Sequence, residues 1–266
     1  MLQQLKMYGH IAVRGRDIVY IIGFFILLAV LKASLLYYTK TTFSLSLGMW
    51  EFIFFSFGGL HCYDSYLLMI GWVLPFFPLV YVSYNLFSNH PVYEVYIYTR
   101  MNTRCSWWLG KTVAHICLSL GYSFILVMVH FIIGFLFFSF STKIDLHALG
   151  YQETTFVTIS PYSLIAVGIV FIAGMVSFSL FTQFVTTFFQ NQFSIYIIWT
   201  VLAFALCHLY LLGVIPRRLS PMMYASSIDL LGTTPVSPYL LLVEFGYNLL
   251  VAAIGICFGY WVQLRK

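Results

Sequence analysis

Long apolar stretches alternate with short polar segments along this chain. Six of them run roughly over residues 18–37, 66–87, 112–140, 161–188, 193–214 and 239–262. Each has the ~20 residues that an α-helix needs to cross the hydrocarbon core of a bilayer. The strands of a membrane barrel would instead alternate apolar and polar positions over about half that length. The pattern therefore predicts an all-α membrane protein with six transmembrane helices.

Two further segments carry apolar positions but do not read as ordinary spans. Apolar residues recur at helical spacing within residues 1–17, with basic residues between them, which predicts an amphipathic interfacial helix on the inner membrane surface. A frayed polar tail is the alternative. Residues 43–60 are also apolar but contain Glu51 and the pair Gly58-Gly59. They could form a seventh span; we interpret them as an interfacial or re-entrant segment on the outer face.

Composition agrees with a membrane protein and leaves no room for a soluble domain. The 266 residues are 61% hydrophobic and only 8% charged, whereas soluble domains have about 25% charged residues. We therefore treat residues 1–266 as one membrane domain that is embedded in the lipid bilayer. Nothing in the chain suggests binding to nucleic acid.

The distribution of basic residues predicts the orientation. Cytosolic segments of membrane proteins carry an excess of Lys and Arg. Placing both termini inside puts eight of the 13 basic residues on the cytosolic side, and Lys32, Lys40, Lys143, Arg217 and Arg218 on the outer side. This predicts a multi-pass protein of the plasma membrane with both termini in the cytoplasm.

The densest basic cluster lies between the second and third spans. About 24 residues separate these spans, more than a simple connection requires. We expect a helix from Val92 to Lys111 that follows the inner membrane surface and then turns into the third span; ordinary positive flanking of a span is the alternative. Its anchoring residues would be polar or aromatic: Glu94, Tyr98, Arg100, Arg104, Trp107 and Lys111.

That cluster is not a nucleotide site. Gly110-Lys111-Thr112 resembles the end of a phosphate-binding loop, but the loop needs a glycine where the chain has Cys105. It also needs a preceding buried strand, and a membrane helix follows instead. The five cysteines form no CxxC pair, so we expect neither a metal site nor an intrachain disulfide.

Polar residues inside the spans are the other signal, because they are costly in lipid. Glu244 and Asn248 lie one turn apart in the sixth span and Gln183 lies in the fourth. They could line a substrate path or join subunits; alternatively, Asn248 or the external link satisfies Glu244. His115, His130 and His208 are each expected to bond a neighbouring helix, with a proton relay as the alternative.

Two local patterns concern packing. Gly255 and Gly259 form a GxxxG pair in the sixth span, which favours close helix packing within the bundle over a subunit interface. The external link before that span contains four prolines. Its residues 221–231 are predicted to form a short interfacial or re-entrant helix closed by Gly232.

Taken together, these features resemble the ABC-2 type permease subunits of type V ATP-binding-cassette exporters. The resemblance rests on the interfacial helix, the six spans, the external link and the elbow pattern formed by Arg100, Arg104, Trp107 and Lys111. It implies that residues 94–111 form a coupling helix seated on a separate cytosolic ATP-binding subunit. That subunit would bind ATP and magnesium, so the chain itself would hold no cofactor and have no catalytic site.

The function implied by this resemblance is export of an amphipathic substrate such as a peptide, a toxin or antibiotic, or a lipid-linked molecule. A second permease copy or a related permease would complete the path. Unlike some lipid exporters of the family, the chain has no large external domain. Two other functions stay open: a secondary transporter driven by an ion gradient, and a membrane-embedded enzyme.

Overall fold

The structure, a computed structural model, describes residues 15–43, 47–59, 66–87, 104–140, 161–187, 192–226 and 238–265. Every regular element within these residues is helical. The α-helices are α1 (Gly15–Phe43), α2 (Met49–Phe57), α3 (Tyr66–Val73), α4 (Phe76–Phe87), α5 (Arg104–Phe137), α6 (Pro161–Thr187), α7 (Gln192–Leu211) and α8 (Pro238–Arg265). Two 3₁₀ helices, Arg217–Leu219 and Pro221–Ala225, lie between α7 and α8.

The prediction of an all-helical membrane protein is confirmed at this level. Within the described residues, four helices are long and apolar enough to cross a membrane, with apolar stretches at Gly15–Thr42, Cys105–Phe137, Ile165–Val185 and Leu242–Trp261. The other two predicted spans contain shorter apolar helices. Residues 1–14 of the predicted interfacial helix lie outside the described residues, whereas residues 15–17 form the first turn of α1.

The second predicted span is broken at Pro75, between α3 and α4. Proline has no backbone N–H and its ring clashes with the preceding turn. At the break, the Pro75 carbonyl accepts a hydrogen bond from the Tyr122 hydroxyl of α5. Pro78 lies in the first turn of α4, where a missing N–H costs nothing.

The segment predicted to be interfacial or re-entrant contains a short helix that is inserted among the longer helices. Its nine-residue helix α2 is largely buried and contacts α1, α5 and α6. Glu51 is buried at its start and accepts a hydrogen bond from the Gly48 amide at 2.9 Å. At roughly 14 Å in length, α2 is too short to cross a bilayer.

Side-chain contacts fix the directions of the helices. Ser83 of α4 contacts His115 of α5, and Pro75, before α4, contacts Tyr122, later in α5, so α4 and α5 run antiparallel. Likewise, Ser119 of α5 contacts Ser179 of α6, and His115, earlier in α5, contacts Gln183, later in α6, so α5 and α6 also run antiparallel. Phe25 of α1 packs on Tyr122 of α5 at 4.9 Å, while Lys32, further along α1, and His130, further along α5, both contact the last turn of α2. These two helices are therefore parallel. Following the orientation predicted from the basic residues, we call the end where α5 begins and α8 ends the inner end, and the opposite end the outer end.

Helix α6 is the centre of the bundle. It contacts α2, α4, α5, α7, α8 and the second 3₁₀ helix. Its Phe171 and Phe178 are buried against Trp72 and Phe76 of the α3–α4 pair. Aromatic side chains of α6 and of the α3–α4 pair therefore form the core of the bundle.

Candidate functional site: the inner anchor and the outer segment

The inner end of α5 is fixed to the end of α8 by Trp108. This indole is buried, and its Nε1–H donates to the Ile256 carbonyl at 3.2 Å. Gly259 makes the approach possible, because a Cβ there would lie 2.5 Å from the Trp108 ring. One turn earlier, Gly255 lets α8 meet α6, since its Cβ would lie 3.0 Å from the Leu180 carbonyl oxygen. The predicted packing role of the GxxxG pair is confirmed.

Two of the predicted coupling residues, Trp107 and Lys111, contact each other inside the bundle. Both side chains are buried, and the Lys111 ammonium lies 4.9 Å from the centre of the Trp107 ring. Such a cation–π contact stabilises a cation that burial would otherwise penalise. The expected bend at Lys111 is also not observed, because α5 is one helix from Arg104 onward. We name Trp107, Trp108 and Lys111 the inner anchor.

Of the four other predicted coupling residues, only Arg104 lies within the described part of the chain. Glu94, Tyr98 and Arg100 lie outside the described residues. Arg104 is the first residue of α5.

Substitution Gly259→Ala should loosen the inner anchor. The added methyl group would displace the Trp108 ring, and overpacking of this kind costs about 1–3 kcal/mol. Gly246→Ala, in the same helix, has open space at its Cβ and should be neutral or stabilising. Intrinsic tryptophan fluorescence during thermal unfolding would report both effects. Equal melting temperatures for the two variants would contradict the tight contact.

A buried hydrogen-bond network joins three helices above the inner anchor. The His115 Nε2 lies 2.7 Å from the Ser83 hydroxyl of α4, and its Nδ1 lies 3.2 Å from the Gln183 Oε1 of α6. The Gln183 amide then donates to the Thr112 hydroxyl at 3.1 Å. His115 thus bonds neighbouring helices as predicted. Both ends of the Gln183 side-chain amide take part in these contacts.

The other two histidines differ from the prediction. His130 bonds its own helix, through Nδ1 and the Leu126 carbonyl at 2.9 Å, and packs between phenyl rings of α2. His208 of α7 packs against the Tyr66 ring at 5.4 Å. The sequence could not reveal this difference, because it depends on which helix faces each ring.

At the outer end, the link after α7 folds back into the bundle. Gly213, with a positive φ of 70°, ends α7, and the Val214 amide donates to the Leu209 carbonyl. Residues 217–226, which we name the outer segment, then pack against α6 and α7. Of the helix predicted over residues 221–231, Pro221–Ala225 form a buried 3₁₀ helix, and residues 227–232, including the predicted closing glycine, lie outside the described residues.

The outer segment is attached to α8 by a buried ion pair. The Arg217 guanidinium contacts the Glu244 carboxylate and also donates to the Ser226 carbonyl at 3.2 Å. The external link, one of the two partners considered from the sequence, therefore satisfies Glu244. The partner could not be identified from sequence, because Arg217 lies 27 positions away in a segment expected outside the membrane.

Further hydrogen bonds connect the outer segment to two helices, α8 and α3, and a third bond ties α6 to α8 beside it. Asn248 of α8 donates to the Tyr224 carbonyl at 3.3 Å, and Trp72 of α3 donates to the Met222 carbonyl at 3.1 Å. Ser177 of α6 donates to the Asn248 carbonyl at 2.9 Å. Burial raises the pKa of the Tyr224 phenol, which keeps this hydroxyl protonated near neutral pH. Glu244 and Asn248 therefore hold the outer segment in place.

Lys32 lies elsewhere than the charge distribution predicted. Charge counting put Lys32 outside the membrane, but it is buried near the middle of α1, and its ammonium donates to the Ser56 carbonyl at 3.2 Å. The apolar residues on both sides of it, Ile26–Val30 and Ala33–Tyr38, were the signal that could have placed it inside.

Comparisons with protein-family descriptions, with curated sequences and with solved structures found no match in any of the three. Any functional conclusion therefore rests on the residues and contacts described above.

Proposed function

We propose that this chain is the membrane-spanning permease subunit of an ATP-binding-cassette exporter of the ABC-2 type. It would move an amphipathic substrate out of the cell, using ATP hydrolysed by separate cytosolic subunits. Two permeases, identical or related, would enclose the path. The chain would work in the plasma membrane with both termini in the cytoplasm.

The observation that carries this proposal is the form of α5. Its 34 residues make an unbroken helix about 51 Å long, whereas the hydrocarbon core is about 30 Å thick. Such a helix extends beyond the membrane at one end or both. Its inner end begins at Arg104, four positions after Arg100. A continuous helix can carry a displacement at its cytosolic end into the membrane, which an ATP-driven permease requires.

The inner anchor supplies a route for that displacement. Because Trp108 is packed on Gly259, movement of α5 acts on α8. Glu244 lies 15 positions earlier in α8, or about 22 Å along the helix, and holds Arg217 of the outer segment. One helix therefore connects the proposed ATPase-facing end to the segment at the opposite end.

The helix directions agree with six crossings. The α3–α4 pair runs antiparallel to α5, and α7 runs from the inner end of α6, at Thr182, toward Tyr66 at the start of α3. Helices α6 and α8 run parallel to each other. This is expected because α7, which lies between them in sequence, runs in the opposite direction. This alternation supports the proposed topology with both termini on one side.

Co-purification tests the proposal. The tagged full chain, extracted from the membranes of its source cells in mild detergent, should retain a soluble ATPase and hydrolyse ATP. Reversing the charges of Glu94 and Arg104 together should remove the ATPase without changing the yield of the permease.

Arg218→Glu is the control, because it reverses one basic side chain, as Arg104→Glu does, at the outer end, where Arg218 is exposed. It should leave the complex intact. Purification of the wild-type chain without any ATPase, or equal loss of ATPase in the control, would contradict the proposed function.

A further inference from the structure

Lys32 occupies an unusual position among the cations of this bundle. Its side chain is only 7% exposed and reaches from α1 to the C-terminal end of α2, where the ammonium donates to the Ser56 carbonyl. Its stem passes beside Gly71 of α3, whose absent Cβ would lie 3.6 Å from the lysine Cε. Three helices therefore surround one ammonium group well inside the apolar stretch of α1.

Two polar atoms near this ammonium have no hydrogen-bond partner among the described residues. They are the Ser56 hydroxyl and the His130 Nε2. His130 is fully buried, and since its Nδ1 proton goes to the Leu126 carbonyl, Nε2 carries the lone pair of the neutral ring. Lys32 and His130 both contact the last turn of α2, Lys32 through the Ser56 carbonyl and His130 through the adjacent Phe57 ring at 5.0 Å.

The charge of Lys32 is also uncompensated within the described residues, where no carboxylate lies within ion-pair distance of it. By contrast, the buried Arg217 has Glu244. Glu51 of α2 bonds the Gly48 amide, and α3, α4 and α6 contain no charged residue. An isolated ammonium in a membrane interior is unfavourable, so an anion that reached it would be strongly attracted.

The hydrogen-bonding groups that Lys32, Ser56 and His130 leave unused indicate which kind of ligand would fit between them. A lysine ammonium has three N–H donors, and Lys32 uses one of them on Ser56. Together with the Ser56 hydroxyl, this leaves three donors and a positive charge, against one acceptor at His130. Oxygen-rich anionic groups have the complementary pattern, and the phenyl rings of Phe52 and Phe57 beside His130 suit an apolar chain.

We propose that Lys32, Ser56 and His130 bind the anionic head, a carboxylate or a phosphate, of an amphipathic molecule whose apolar chain lies among the phenyl rings of α2. Transport of this molecule rests on the proposed function; its binding does not. The three groups are enclosed in the present conformation, so α2 must separate from α1 when the molecule enters.

Binding to the purified full chain in phosphatidylcholine nanodiscs tests the site without any ATPase. The probe is dansyl-labelled undecanoic acid, and its methyl ester is the uncharged comparison. The acid should bind saturably and far more tightly than the ester. Lys32→Met should weaken binding of the acid at least about tenfold, while Lys32→Arg should largely retain it.

Lys40→Met is the matched control, because Lys40 also lies on α1 and donates to a backbone carbonyl, that of Leu47. It should bind the acid like wild type. If Lys32→Met does not give monodisperse protein, Ser56→Ala should show the same weakening through loss of one donor. Nanodiscs with phosphatidylglycerol identify the source: displacement of the acid points to a lipid headgroup, and no displacement points to a free carboxylate.

Equal affinity for acid and ester, no saturable binding, or unchanged binding in both Lys32→Met and Ser56→Ala would overturn the proposal. Failure to find an ATPase would leave these results unaffected, so the two proposals can fail separately.

Discussion

Replacing Glu244 with leucine is expected to destabilise the protein by about 3–5 kcal/mol, because Arg217 would remain buried without the Glu244 carboxylate. Arg217→Met should cost a similar amount by leaving the carboxylate unpaired. The double variant Arg217→Met with Glu244→Leu should recover much of the loss, since replacing a buried pair with apolar groups is often neutral. The measurement is the free energy of unfolding in mixed detergent micelles.

Arg218→Met is the control for this series. Arg218 is the next residue, its side chain is exposed, and its guanidinium lies 5.6 Å from the Tyr247 ring. Its replacement should cost no more than about 1 kcal/mol. Additive losses in the double variant, or equal effects at Arg217 and Arg218, would contradict a buried pair that holds the outer segment.

The second large effect is expected at Gly174, where α6 meets the outer segment. A Cβ at this position would overlap the backbone of Ala225 and the Tyr224 carbonyl. Backbone atoms cannot move aside as a side chain can, so Gly174→Ala should destabilise the protein by about 3 kcal/mol or displace the outer segment. Unfolding experiments measure the first outcome, and proteolysis within residues 217–226 detects the second.

Gly168→Ala provides a control with the opposite expected sign. Gly168 lies in the same helix, and its Cβ would have open space. Alanine there should stabilise α6 by up to about 1 kcal/mol, because it has the higher helix propensity. If both variants behaved alike, the close approach of Ala225 to α6 would be wrong.

Helix positions were largely accessible from the sequence. The apolar stretches predicted helices where α1 and α3 to α8 are found, and Pro75 marked the break between α3 and α4. The GxxxG pair also predicted helix packing correctly. These features follow from local chemistry: apolar length, a missing N–H and a missing Cβ act wherever the residue lies.

The site geometry was less accessible, because it depends on contacts between distant segments. The sequence indicated an aromatic anchor at Trp107, but it did not identify Gly259 of α8 as the residue on which the neighbouring Trp108 packs. Counting charges identifies a side of the membrane but not a depth, which is why Lys32 was misplaced. Likewise, Glu244 signalled a polar site without identifying Arg217, because no sequence spacing connects a link residue to a helix.

Spin-label distances give the most direct test of the account, in which an ATPase moves the outer segment through α5 and α8. Labels would replace Leu109 at the inner end of α5 and Leu219 in the outer segment; both side chains are exposed. With its co-purified ATPase in nanodiscs, the labelled permease should show a distance distribution that shifts when ATP binds and returns after hydrolysis. An unchanged distribution throughout the ATP cycle would contradict the account.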